Sequence, residues 1–96
     1  MSQHAQFKFR LYVAGYALNS VQARANLAAL CRAHLAGRHE IEIVDVLMEP
    51  KRALADAVCM TPTLVKLAPL PERTLVGTLS QTQLVLQALG LLGVSE

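Results

Sequence analysis

The sequence predicts a mixed α/β domain with the element order βαβαββα, and three observations carry that expectation. Apolar residues alternate with polar ones from Phe7 to Val13 and again from Glu40, the period of half-buried strands. Between these runs, Ala23, Leu27, Leu30, Cys31 and Leu35 recur at helical spacing. Two shorter β-rich runs then flank a proline turn, ahead of a closing apolar stripe.

The elements follow in order. Phe7, Phe9, Leu11 and Val13 form the inner face of the first strand, which ends at Ala14-Gly15. Asn19 or Ser20 is placed to cap the first helix and Gly37 to stop it, with Arg24, Asn26 and Arg32 facing water. The run Glu40 to Leu47 starts as an alternation and becomes mostly apolar, which suits a strand near the sheet centre. A right-handed helical crossover makes it parallel to the first strand.

Pro50 opens a short helix at a position where its missing N–H costs nothing, and Leu54, Ala57 and Val58 are expected to face the sheet. The Thr61-Pro62 bond can be cis, and it leads directly into a strand from Thr63 to Leu67. Pro69-Leu70-Pro71-Glu72 marks a turn, so Arg73 to Gly77 returns as the partner of an antiparallel hairpin. Ser80-Gln81-Thr82-Gln83 matches a capping box. It precedes a helix with Leu84, Ala88 and Leu91 on one stripe and Val85, Leu89 and Leu92 beside it. Gly90 and Gly93 weaken that helix by about 1 kcal/mol each where they fall inside it.

Composition narrows the function. Ninety-six residues, 53% hydrophobic and without tryptophan, fit one domain over residues 1–96 with a core of modest size, behind a disordered tail at 1–6. The net charge of +2 comes from nine scattered Lys and Arg with no aromatic interleaving, which argues against nucleic acid. The polar start resembles no secretory signal, and the tract from Leu84 to Val94 is too short and too broken to span a membrane. A soluble cytoplasmic protein is expected.

Cys31 and Cys59 form no CxxC motif and are expected as buried small hydrophobes. His4, His34 and His39 are off any ligand spacing, so neither a metal nor a cofactor is expected. Asp45 has no histidine or second carboxylate at a spacing that would make an acid–base pair. Tyr12 reads as a packing or interface residue, and Tyr16, in a loop, as an exposed one.

The element order is that of thioredoxin-like proteins, with Pro62 at the head of the third strand. The turn after the first strand reads Gly15-Tyr16-Ala17-Leu18, without the cysteines of a redox enzyme. A more specific likeness runs from about Phe7 to about Leu92. Leu11-Tyr12-Val13-Ala14-Gly15, Asn19-Ser20, Val44-Asp45-Val46-Leu47 with Pro50, Thr61-Pro62-Thr63-Leu64, Pro69-x-Pro71, Arg73 and Gly77-x-Leu79-Ser80 resemble the KaiB family of circadian clock proteins.

That resemblance implies a small non-catalytic cytoplasmic regulator that binds a KaiC-type ring ATPase. It also implies possible engagement of a KaiA-like protein or a histidine kinase pathway, and a homo-oligomer, dimer or tetramer. Family members take two folds, a thioredoxin-like binding form and a ground state ordered βαββααβ. The alternative concerns the C-terminal half.

Lys66 and Arg73 match two basic positions that help family members bind KaiC. A third basic residue commonly follows Asn-Ser-Val; here that position is Gln22, and Arg24 stands two residues on. Pro62, Gly15 and Gly77 are expected to act structurally. The chain departs from the family at Tyr16-Ala17-Leu18, where a Thr-Pro pair is usual, and at Thr78, where an Asp is usual. Other readings are a stand-alone sensor or adaptor, a stress-signalling relative without a clock, and, less favoured, a thiol-disulfide enzyme.

Overall fold

A computed structural model describes residues 6–91. The expectations for His4, the terminal tail, Leu92 and Gly93 lie outside the described residues. The elements are β1 (Phe7–Val13), α1 (Leu18–His34), β2 (His39–Asp45), α2 (Pro50–Ala55), β3 (Thr63–Ala68), β4 (Arg73–Val76) and α3 (Thr82–Ala88). This is the expected βαβαββα order, with the C-terminal half in its thioredoxin-like arrangement rather than βαββααβ.

The four strands form one sheet in the order β2-β1-β3-β4. β1 runs parallel to β2, from Phe7 opposite His39 to Val13 opposite Asp45, and antiparallel to β3. β3 and β4 form the antiparallel hairpin. β2 therefore stands at an edge, not near the centre. Its burial fits that place: Val44 is fully buried, Ile41 and Ile43 are half-buried, and Glu40 and Glu42 are exposed. Of the apolar residues that suggested a central strand, Val46 makes the last bond to β1, its N–H to the Val13 carbonyl at 2.8 Å, and Leu47 lies beyond the strand.

Strand alternation sorts the core into two layers. Phe7, Phe9, Leu11 and Val13 pack with Leu64 against α1 and α3, through Leu27, Cys31, Val85, Leu86 and Leu89 among others. Tyr12, Val44 and Val65 form a smaller cluster with Ala53 of α2 on the opposite face. Truncating a fully buried member such as Leu27 to alanine costs on the order of 2–5 kcal/mol, since both transfer energy and packing are lost.

Several local expectations are corrected. α1 starts at Leu18, behind Ala17, so Asn19 and Ser20 lie inside its first turn and supply no cap. The Ser20 hydroxyl instead accepts the Ala14 N–H at 3.0 Å and ties the helix to the exit of β1. The capping box does not form either: α3 starts at Thr82 behind Gln81, and the Ser80 hydroxyl is engaged by Thr78 at 3.2 Å.

In α3 Val85 and Leu86 are buried, as is Leu89 at its C-cap, whereas Leu84, expected on an inner stripe, is exposed. In α2, only Ala53 is buried; Leu54 is exposed, and Ala57 lies beyond the helix at φ 56°. Val58 packs against the smaller cluster as expected. Cys31 is buried, but Cys59 is exposed, because it falls in the connection that precedes β3.

Candidate partner-binding surface

The ends of β1 and β2, the start of β3 and the end of β4 lie together at one end of the sheet. Parallel pairing puts Val13 beside Asp45, and antiparallel pairing puts Tyr12 beside Thr63 and Thr63 beside Val76. Asp45 organises this end. Its Oδ1 accepts the Gly15 N–H at 3.2 Å and the Leu47 N–H at 2.9 Å, joining the loops that follow β1 and β2.

Gly15 has φ 53°, and a Cβ there would lie 3.5 Å from Leu47 Cδ1 and 3.9 Å from Asp45 Oδ2, so the position favours glycine on backbone grounds. The loops thus fixed present Tyr16, 93% exposed, with Leu47 and Met48. Met60, also exposed, comes from the connection before the cis Thr61-Pro62 bond. Pro62 receives the Gly77 N–H on its carbonyl at 2.9 Å, and Gly77 has φ 121°. Pro62, Gly15 and Gly77 therefore all sit at chain reversals of the same end.

The basic residues are arranged differently. Lys66 and Arg73 stand directly opposite each other across the β3–β4 ladder, with their side chains on the α1/α3 face. Arg73 is exposed, whereas Lys66 is only 4% exposed. The Lys66 ammonium donates to the Leu89 carbonyl at 3.4 Å and lies 5.8 Å from the Phe7 ring centroid. Both contacts suit a cation: one is the negative end of α3 and the other a π-face.

Burial, then repulsion from Arg73, lowers the Lys66 pKa. Lys66 is thus a core residue that backs Arg73, not the open surface charge its type suggested. Strand parity held the signal, since Leu64 and Lys66 share one face of β3. Arg24 is exposed on α1, two positions before Asn26, whose amide donates to the Thr78 carbonyl at 2.8 Å. The structure brings Lys66 and Arg73 together and places Arg24 on a separate element.

A charge cluster on the α2 face had no sequence signal. Arg10 bonds Glu42 at 3.0 Å and Asp56 at 2.9 Å, and Arg52 bonds Glu42 at 2.7 Å. The Tyr12 hydroxyl donates to the Asp56 carboxylate, with the Arg52 carbonyl 3.2 Å away as a second, longer contact. This cluster fastens α2 to the sheet. Cys31 offers no thiolate chemistry, because burial pushes its thiol up to about 11.

Comparison with known proteins adds a family to this geometry. Residues 10–91 match the KaiB domain model. The chain belongs to the KaiB family. A circadian clock protein KaiB3 from a Synechocystis species is 40% identical over 80 residues, covering 83% of this chain and 78% of its own. The circadian clock oscillator protein KaiB of Synechococcus elongatus is 39% identical over 92 residues, covering 96% and 90%.

Among solved structures, the N-terminal domain of SasA from Synechococcus elongatus matches with a TM-score of 0.73 at 19% identity, covering 99% of this chain and 94% of that one. The Deadhead thioredoxin of the fruit fly matches at 0.71 and 15%, covering 91% and 82%. These two likenesses establish a thioredoxin-like fold for the KaiB-family chain. Among its described residues, no helix is long and apolar enough to cross a membrane.

Proposed function

We propose that this KaiB-family chain is a non-catalytic cytoplasmic regulator that binds a KaiC-type ATPase, in circadian timing or related signalling. The observation that carries the reading is the juxtaposition of Lys66 and Arg73, two basic positions of the family resemblance, directly opposite in one ladder. Arg73 is the solvent-facing charge of the pair and would meet an acidic patch on the ATPase. Lys66 acts from behind, since its buried ammonium holds the end of α3 and sets the field around Arg73. Arg24 supplies a flanking charge from α1.

The exposed residues Tyr16, Leu47 and Met48 offer apolar area beside the sheet end that the same partner would cover. A KaiA-like protein or a histidine kinase pathway is the further partner class that the family suggests. The test is binding of a co-encoded KaiC-type ATPase to the Arg73→Glu and Arg24→Glu variants, with circular dichroism as the fold control. A charge reversal at Lys66 is unsuitable, because it would bury a carboxylate without a partner. Unchanged binding by both exposed-charge variants would sink the assignment.

A further inference from the structure

The main chain of β4 has unused hydrogen-bonding groups on one side. β3 and β4 run in one register, from Thr63 opposite Val76 to Lys66 opposite Arg73, and the Gly77 N–H bond to the Pro62 carbonyl extends it. Hydrogen-bonded and non-hydrogen-bonded pairs alternate in an antiparallel ladder. Arg73, Leu75 and Gly77 therefore turn their main-chain groups toward β3, and Thr74 and Val76 turn theirs outward. Among the described residues, no strand lies on that side. Natural edges are blunted by lysine, proline or bulges, and Thr74-Leu75-Val76 carries none of these.

The surroundings of this edge select what it can hold. Between β4 and α3 runs an open groove of about 350 Å³, lined by Leu75, Val76, Leu79, Leu84 and Val85 among others. Val76 is 58% and Leu84 60% exposed, so apolar walls of the groove face water. A Cβ on Gly77 would meet nothing within 4 Å, which leaves room above that glycine. At the other end of the strand Arg73 is exposed, and among the described residues no carboxylate pairs with it. Its neighbour across the ladder is Lys66, a second positive charge.

We propose that this edge binds an extended segment of a partner protein with the pattern apolar–x–apolar–x–acid. The segment adds antiparallel to β4, the better-bonded orientation, and its main chain exchanges hydrogen bonds with Thr74 and Val76. Every second side chain then falls on the groove side. The first apolar residue lies opposite Gly77, where a large side chain shields an edge glycine. The second lies opposite Leu75, a non-hydrogen-bonded position at which side chains approach closely. The acid falls opposite Arg73, where an opposite charge stabilises the pair.

Charge also decides between the two edges of the sheet. The free edge of β2 carries the exposed carboxylates Glu40 and Glu42 and would repel the same acidic segment. The β4 site goes beyond the ATPase reading, because its main-chain groups and its groove need no ATPase. The test contains none, so the two readings can fail separately.

The probe is a capped seven-residue peptide with leucine at its second and fourth positions, aspartate at its sixth and threonine elsewhere. It is titrated into the isotope-labelled full chain and followed by NMR, up to about 1 mM to cover the weak binding of so small an interface. The Thr74 and Val76 amides should shift to saturation and exchange more slowly, while exchange at Leu75, already bonded to β3, stays constant. Methylating the main-chain nitrogens of the third and fifth peptide residues removes two donors and should weaken binding roughly tenfold. Lysine in place of the aspartate should weaken it roughly fivefold, and Arg73→Glu should reverse that preference. No saturable shift at Thr74 and Val76, equal binding by the methylated peptide, or a charge preference that Arg73→Glu leaves unaltered would overturn the proposal. Shifts at this edge that follow protein concentration instead of peptide would assign it to a second copy of the chain and overturn the proposal equally.

Discussion

The Tyr12 hydroxyl reaches across from near the end of β1 to donate to the Asp56 carboxylate, just beyond the end of α2. Tyr12 is fully buried, and Asp56 is bonded on the same oxygen by Arg10. A short helix with a single buried residue, Ala53, is thus held largely by polar contacts. Tyr12→Phe should cost about 1.5–3 kcal/mol, the range for a hydrogen bond to a charged group. Urea unfolding measures it, and a double-mutant cycle with Asp56→Asn should show positive coupling between the two sites.

Acid should loosen the same cluster. Hydrogen bonds from Arg52 and then Arg10 hold the Glu42 carboxyl well below its ordinary 4.5, at about 2. The Tyr12 hydrogen bond, followed by that from Arg10, lowers Asp56 from 3.8. Groups with depressed folded values contribute fully above their unfolded pKa and lose that contribution as pH falls through the folded one. Stability should therefore decline from pH 4.5 toward 2. Arg10→Met should flatten that limb in a pH series of denaturant midpoints.

Lys66 has the opposite chemistry. Its pKa is lowered from 10.5 by burial first and Arg73 second, so the unfolded chain holds the proton more tightly than the folded one. Stability from this group rises with pH between the folded value and 10.5, and its cost is fully present below that window. Lys66→Met should therefore stabilise this fold at neutral pH, by about 1 kcal/mol. For a domain near 100 residues that corresponds to roughly 4–8 °C in the thermal midpoint. A lower midpoint would mean that the Leu89 and Phe7 contacts outweigh the desolvation.

Ala57 and Leu79 both adopt positive φ, at 56° and 63°. Left-handed backbone costs a non-glycine residue roughly 1–2 kcal/mol. Ala57 is exposed, so Ala57→Gly should raise stability by about 1 kcal/mol in thermal or urea unfolding. Leu79 differs, because its side chain belongs to the main core; Leu79→Gly should destabilise despite the same relief.

Where residues act through local periodicity, the sequence was legible. Phe7, Phe9, Leu11 and Val13 on β1, and Ala23, Leu27, Leu30, Cys31 and Leu35 across α1 and its C-cap, all lie in the core as their spacing implied. Element order and the hairpin followed from the same periods and from proline placement. The edge position of β2 did not, because an apolar run carries no information about which strand lies outside.

Helix starts were misread for a related reason. Ser20 and Ser80 are good caps by type, but the Ser20 hydroxyl is engaged by the Ala14 N–H at the exit of β1, and that of Ser80 by Thr78 in its own connection. The Arg10–Asp56 contact spans 46 positions, and no local pattern could announce it. At the candidate site, the pairing of Lys66 with Arg73 followed from the hairpin, while the burial of Lys66 depended on where α3 ends.

The account rests most heavily on Arg73 as the outward charge of that pair. Its central measurement is the affinity of a co-encoded KaiC-type ATPase for the wild type and Arg73→Glu, by isothermal titration or biolayer interferometry, with circular dichroism matched between the two. The expected result is more than tenfold weaker binding by the variant. Equal affinities in a properly folded Arg73→Glu protein would contradict the account.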